Sequence, residues 1–99
     1  TGVKLIEANL TEANLSRAQL SLTRLSNACL RAARLRQANL QRADLTDADL
    51  SEADFLNADL TGADLSRANL RNAKHLTKAQ LDSAKSLAGA IMPDGSVHK

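Results

Sequence analysis

The sequence predicts an all-β solenoid in which the chain bends once every five residues. Two observations carry this prediction: a period of five in the apolar residues, and a composition dominated by one medium-sized and one small side chain. Leu and Ala supply 18 residues each of the 99, and Phe55 is the only aromatic residue. A core built from these side chains is narrow and uniform. The composition therefore argues against an enzyme with a large concave pocket and against a module that stacks nucleic-acid bases on aromatic rings.

The period of five defines a repeat with a large apolar residue, which we call the centre position. Ala stands two residues before almost every centre, in what we call the alanine slot, where Thr23 and Val3 are the exceptions. The three remaining positions of each repeat are almost entirely polar. The centres that follow Leu5, predicted to form the structural core, are Leu10, Leu15, Leu20, Leu25, Leu30, Leu35, Leu40, Leu45, Leu50, Phe55, Leu60, Leu65 and Leu70.

Neither a regular helix nor a regular strand explains this spacing. Five residues turn a helix by about 140°, so the centres would spread around its whole surface. An odd spacing on a strand would send successive centres to opposite faces. A bend in every repeat removes the conflict, because Ala and Leu then share the inward face of a short extended segment and the polar pair forms the corner.

The repeat Ala-(Asp/Asn)-Leu-(Ser/Thr/Arg)-X resembles the pentapeptide repeat family over about residues 3 to 75. The resemblance implies a right-handed quadrilateral β-helix with four repeats in each coil. Coils would stack through backbone hydrogen bonds at about 4.8 Å. The repeats then form about three and a half coils, or roughly 17 Å of rod. We expect the Leu and Phe centres to fill the axis and the Ala side chains to point inward near the corners.

The register of the repeats breaks after Ala73, and the pattern changes to that of a helix. Thr77 and Gln80 have the spacing of a capping box, and apolar residues then recur at helical spacing. We predict a helix at about 78 to 88 that covers the C-terminal coil, with Gly89 as its stop. The residues assigned to this cap are Thr77, Gln80, Leu81 and Leu87. The predicted division is a β-helix over 1–75, a helix cap over 76–92 and a tail over 93–99, with a turn at Pro93-Asp94-Gly95 and loose final residues.

No comparable cap precedes Val3, so we expect the N-terminal coil to be covered in another way. A removed segment, a second copy of the chain or a further domain would each serve. The chain begins at Thr1 without a signal-like segment, which suggests trimming. We therefore expect a monomer or an end-to-end dimer through the uncapped N-terminal coil.

The outward positions carry charge in bands along the axis. The charged residues of 17–42 are all arginines, and those of 44–64 are all Asp or Glu. Basic residues return after residue 64. Residues twenty apart should lie above one another, which places Arg24 under Asp44, and Arg34 under Asp54. These columns predict modest surface ion pairs or a partner surface. The residues of that candidate surface are Arg24, Arg31, Arg34, Arg36, Asp44, Asp49, Asp54, Asp59 and Asp64.

No motif for catalysis, cofactor binding or metal binding stands out, so we expect no enzyme, no cofactor and no metal. His75 and His98 are the only histidines, and His75 is expected to mark the junction with the cap. Cys29 occupies an outward position, where it is either a tolerated small residue or a reactive thiol. The acids Asp49, Asp54, Asp59 and Asp64 would fall on four different faces and could not share an ion.

We predict a non-enzymatic structural or protein-interaction module with an unidentified protein partner. The resemblance also suggests an alternative, a DNA-mimic modulator of DNA gyrase of the quinolone-resistance type. The arginine band suggests a second alternative, nucleic-acid binding. The short rod argues against the first, and arginines on all four faces argue against the second. A net charge of +2 does not by itself indicate nucleic acid or membrane. We expect no small-molecule substrate, and a cytoplasmic location in preference to the periplasm or thylakoid lumen.

Overall fold

A computed structural model describes residues 4–98, and most of them form a four-sided coil. Short parallel β-bridges join residues that are twenty apart, from Lys4 with Arg24 through to Asp54 with Lys74. Four repeats therefore complete one turn. Each bridge is a single residue pair. Strands of greater length do not form between residues 4 and 98, because each side of the coil is only about three residues long before the chain bends.

Each corner of the coil has the same backbone geometry. The alanine-slot N–H donates to the centre carbonyl three residues earlier, as Ala48 does to Leu45 at 3.0 Å. The second corner residue is left-handed, and Asp47, with φ 59°, is typical of the positions from Glu7 to Asn72. This conformation costs a non-glycine residue roughly 1–2 kcal/mol. The hydrogen bonds between stacked coils offset that cost.

The core is the column of centres, lined by the alanine slots. From Leu25 to Leu70 every centre is at most 1 % exposed, and Phe55 is fully buried among them. The predicted core is confirmed over this range. Leu10 and Leu15 are only partly buried because they belong to the first coil, which has no described coil beneath it.

One α-helix, α1, spans Lys78–Ser83. Its predicted capping box is present: Thr77 Oγ1 accepts from the Gln80 N–H at 3.1 Å, and Gln80 Oε1 accepts from the Thr77 N–H at 2.7 Å. The prediction of a helix as far as residue 88 was wrong, because the helix ends at Ser83 and Ala84 is extended. With six residues, α1 lacks the length to cross a membrane, and residues 4–98 contain no other helix.

Beyond α1 the chain rejoins the coil for one more partial turn. Asp64 pairs with Ser86 and Asn69 with Ile91, so the offset grows from twenty to twenty-two residues. Leu87 takes the centre position, and the Ala90 N–H donates to its carbonyl at 2.9 Å. Gly89, with φ 73°, is therefore a left-handed corner residue and not the helix stop that the sequence predicted.

The last residues form a β-hairpin on this partial coil. Ile91 and Val97 make an antiparallel bridge. The predicted turn at Pro93-Asp94-Gly95 is confirmed: Asp94 Oδ1 accepts from the Ser96 N–H at 2.9 Å, and Gly95 has φ 90°. The expectation of loose final residues was wrong as far as residue 98, because backbone hydrogen bonds tie the segment down.

Candidate functional site

The outward residue directly before each centre, which we call the flanking position, has a structural task in most repeats. An Asp or Asn there accepts a hydrogen bond from the backbone N–H two residues later, which is the first corner residue. Asp44 Oδ1 accepts from Thr46 at 3.0 Å, for example, and Asp59 Oδ1 accepts from Thr61 at 3.0 Å. The residues that do this are Asn9, Asn14, Asn39, Asp44, Asp49, Asp54, Asp59, Asp64 and Asn69.

One complete turn of the solenoid lacks this hydrogen bond. The flanking positions of residues 18–37, which we call the substituted coil, hold Gln19, Arg24, Cys29 and Arg34. Within residues 4–98, the corner N–H groups that follow them have no acceptor. This coil therefore lacks the turn stabilisation of its neighbours, and it carries three exposed side chains, Gln19, Arg24 and Arg34, together with the half-buried Cys29.

The acidic band is thus largely committed to the fold. All five acids of the candidate surface accept corner hydrogen bonds, so each has one carboxylate oxygen turned to its own backbone. Hydrogen bonds lower the pKa of three of these acids, Asp54, Asp59 and Asp64. Gln41 and Thr61 lower the pKa of Asp59 by donating hydrogen bonds, and the Ser66 hydroxyl does the same for Asp64.

The expected columns exist, but only one of the ion pairs between coils lies within a column, and the pair at Asp54 runs diagonally. Arg34 does lie under Asp54 in a β-bridge. The guanidinium paired with Asp54, however, belongs to Arg36, with Nε at 2.6 Å from Oδ2. A second diagonal pair joins Arg31 to Glu52 at 3.6 Å, whereas Arg67 lies directly above Asp47 and pairs with it within one column at 3.1 Å.

Asp54 is the most strongly paired acid on the described surface. Its second oxygen accepts from the Leu56 N–H at 3.1 Å and lies 3.0 Å from His75 Nδ1. Partial burial alone would raise its pKa, but hydrogen bonds from Arg36, His75 and the Leu56 N–H outweigh that effect and lower the pKa to about 2. The sequence placed His75 at the junction but missed this contact, although Lys74, one residue earlier, lies directly above Asp54.

A groove runs along one corner beside this pair. It consists of two adjoining hollows of about 500 and 360 Å³, both of which include Ser16 and Arg36. Three of the lining side chains are cations and one is an acid. The full lining is Ser16, Arg17, Arg34, Arg36, Gln37, Asp54, Leu56 and Asn57. Sequence reasoning identified Arg34, Arg36 and Asp54 as surface candidates but missed Arg17, Ser16 and Leu56, whose roles depend on stacking between coils.

The other predicted positions are dispersed. Arg24 and Arg31 belong to other parts of the substituted coil, and Cys29 Sγ lies 3.1 Å from Thr11 Oγ1. In the part of the chain that the structure describes, no group of three His, Cys, Asp or Glu residues could hold a metal ion. The end-to-end dimer through the first coil stays a prediction.

These features define the class of protein. It is a β-solenoid with a packed axis, in which one coil lacks the side-chain hydrogen bond that stabilises the corners of the others. Residues 1–37 and 38–74 match the family model for pentapeptide repeats, in eight copies. The chain belongs to the pentapeptide repeat family. Proteins of this family form right-handed quadrilateral β-helices and are generally structural or interaction modules.

Two solved structures from cyanobacteria are similar to this chain. The pentapeptide repeat protein alr5209 from Nostoc PCC 7120 is 42 % identical with a TM-score of 0.71, over 90 % of this chain and 64 % of that one. Rfr23 from Cyanothece 51142 is 30 % identical with a TM-score of 0.51, over 97 % of this chain and 64 % of that one. This chain therefore spans somewhat under two thirds of each. No curated protein matches it.

Proposed function

We propose that this chain is a non-enzymatic protein-interaction module that presents the substituted coil to a protein partner. The observation that supports this proposal is the loss of the corner hydrogen bond in four consecutive repeats, at Gln19, Arg24, Cys29 and Arg34. Asp or Asn at these positions would stabilise the turn. Where a sequence gives up a local stabilising contact throughout one coil, a functional demand on that surface is the natural reason.

The remaining surface supports the same reading. The acids of the candidate surface cover little more than one coil, within residues 44–64, and arginines precede and follow them, so they do not form the extended acidic face of a duplex-DNA mimic. We therefore do not propose gyrase modulation. We further propose that α1 and the partial coil after it cover the C-terminal end, because Leu76, Leu81 and Leu87 pack against the core.

Affinity capture from the cells that make the protein tests the interaction function. The bait is the wild-type chain, compared with a triple variant, Gln19→Asn, Arg24→Asn and Arg34→Asn, which restores the corner acceptor. We expect this variant to be at least as stable as the wild type and to lose the captured partner. Arg42→Asn, at an exposed corner outside the substituted coil, is the matched control. Recovery of the same proteins by all three baits would contradict the proposal.

A further inference from the structure

We propose that the groove beside Arg34 and Arg36 binds an acidic peptide segment of a partner protein. One carboxylate of that segment is held between the Arg34 guanidinium and the Arg36 backbone N–H. This inference rests on the proposed interaction function, and it names the site and the chemistry of the segment that the site receives.

The first support comes from comparing three stacked flanking positions. Asn14 Oδ1 accepts a corner N–H at 3.1 Å one coil earlier, and Asp54 Oδ1 accepts one at 3.1 Å one coil later. Between them stands Arg34, and no atom of residues 4–98 accepts the Arg36 N–H. The same backbone donor thus meets a carboxylate or carboxamide oxygen in both neighbouring coils. A carboxylate from a partner gives the Arg36 N–H the acceptor that its neighbours have within the chain.

The second support is the arrangement of cations around that N–H. Arg17 is held by Gln37, with Nε donating to Oε1 at 2.9 Å, and Arg36 is held by Asp54 at 2.6 Å. Both side chains are therefore oriented before a ligand arrives. Arg34 is exposed and makes no ion pair within the described residues. Its planar guanidinium can bind a carboxylate through two parallel N–H donors.

The lining favours a peptide over nucleic acid. Asp54 lines the groove, where it repels a continuous chain of phosphates but tolerates a peptide whose charges are spaced apart. Leu56 is half-buried beside it and offers an apolar contact to a side chain between two acids. Base stacking has no platform here, because Phe55 is fully buried in the axis.

The test is fluorescence anisotropy with a labelled octapeptide in which Asp and Glu alternate with Leu. A second octapeptide with Asn and Gln in place of the acids is the control ligand. We expect saturable binding of the acidic peptide to the wild-type chain, weakened by added salt because exposed charges are screened. The neutral peptide should bind at least tenfold more weakly.

Arg34→Asn separates binding from folding. Asn at this position supplies the corner acceptor seen at Asn14, so the variant should melt about 2 to 8 °C higher than the wild type. It should also bind the acidic peptide at least tenfold more weakly, since the guanidinium is gone and the Arg36 N–H is occupied. Arg24→Asn makes the same exchange on another face. It should gain similar stability and leave the affinity within twofold.

Several results would overturn the inference. These are absence of binding to the wild-type chain, equal binding by Arg34→Asn, and equal loss in Arg24→Asn. If a labelled single-stranded oligothymidylate binds the wild type more tightly than the peptide and depends equally on Arg34, the ligand is nucleic acid and the inference is wrong. A partner captured by the wild-type chain but unaffected by Arg34→Asn would leave the interaction function standing and overturn this site alone.

Discussion

Replacing Thr23 by Val should stabilise the protein. Thr23 occupies an alanine slot with no exposed surface, and its hydroxyl Oγ1 has no hydrogen-bond partner. A buried hydroxyl without a partner costs about 1–3 kcal/mol. Valine has nearly the same shape, is branched at the same carbon, and adds a methyl whose burial is worth about 0.8 kcal/mol. Crowding by the slightly larger methyl subtracts from this, so we expect a gain of about 1–3 kcal/mol.

Thermal and urea denaturation followed by circular dichroism measure this gain. For a chain of this size, it corresponds to a rise in Tm of roughly 5 to 15 °C. Thr61→Val is the matched control, because the Thr61 hydroxyl is exposed and donates to Asp59 at 2.7 Å. That variant should be neutral or slightly destabilised. A Thr23→Val protein no more stable than the wild type would refute the reasoning, since the hydroxyl would then be satisfied or the slot too tight for a methyl.

Three further predictions concern the core, the junction and pH. Leu45→Ala leaves a cavity in the packed axis and should lower the free energy of unfolding by about 2–5 kcal/mol, measured by urea denaturation. Gln80→Ala removes a helix-capping acceptor and two hydrogen bonds of 2.9 Å from Nε2 to the carbonyls of Phe55 and Ala58, and should cost about 2–4 kcal/mol in the same assay. The ionised carboxylate of Asp54, whose pKa falls from 3.8 to about 2 on folding, stabilises the protein fully above the unfolded pKa. That stabilisation, up to about 2 kcal/mol, is lost as the pH falls toward 2, so Asp54→Asn should lose less stability than the wild type between pH 6 and pH 2.5.

Each of these predictions has a matched control. Leu10→Ala removes the same side chain from the half-buried first coil and should cost clearly less than Leu45→Ala. Gln80→Glu keeps the capping oxygen but cannot donate to the two carbonyls, so a loss equal to that of Gln80→Ala assigns the effect to the carbonyl contacts. Asp49→Asn makes the same exchange at an acid that has no ion pair within residues 4–98, and is the matched control for the substitution. Equal pH profiles for the wild type and Asp54→Asn would contradict the role given to Asp54.

The coil could be predicted from sequence because its determinants repeat at a fixed interval. Every centre from Leu10 to Leu70 points toward the axis. The five-residue period therefore stays visible even where one centre, Phe55, is not Leu. The segment after Ser83 was misread because its apolar residues also fit helical spacing. Leu81, Ala84 and Leu87 recur every three residues, which also fits one face of a helix. The two additional residues between Lys74 and Ser86 conceal the return to a period of five.

The surface contacts were harder to predict, because they depend on side-chain reach between coils. The column that contains Arg34 and Asp54 follows from a backbone offset of twenty residues. The ion pair instead involves Arg36, at the neighbouring corner, whose side chain reaches the free oxygen of Asp54 diagonally. The corner hydrogen bond could have been predicted from the Asp or Asn at the flanking position. Both residues carry a side-chain oxygen, Oδ1, that can accept the backbone N–H two residues later.

The substituted coil departs from the repeat on the inside as well as on the outside. Thr23, the sole polar residue that replaces Ala in an inner slot, lies in the same repeat as Arg24, and the preceding corner places Leu22 in a left-handed conformation with 52 % of its surface exposed. Each of these residues makes the protein less stable than the residue that the repeat consensus has at the same position. Lys4 and Lys74 also replace the flanking Asp or Asn, but they stand at the two ends of the repeats. Chance would scatter such costs along the interior of the array as well, whereas selection for a binding surface would gather them in one coil. Their coincidence within residues 18–37 is therefore the strongest internal reason to look for the partner there.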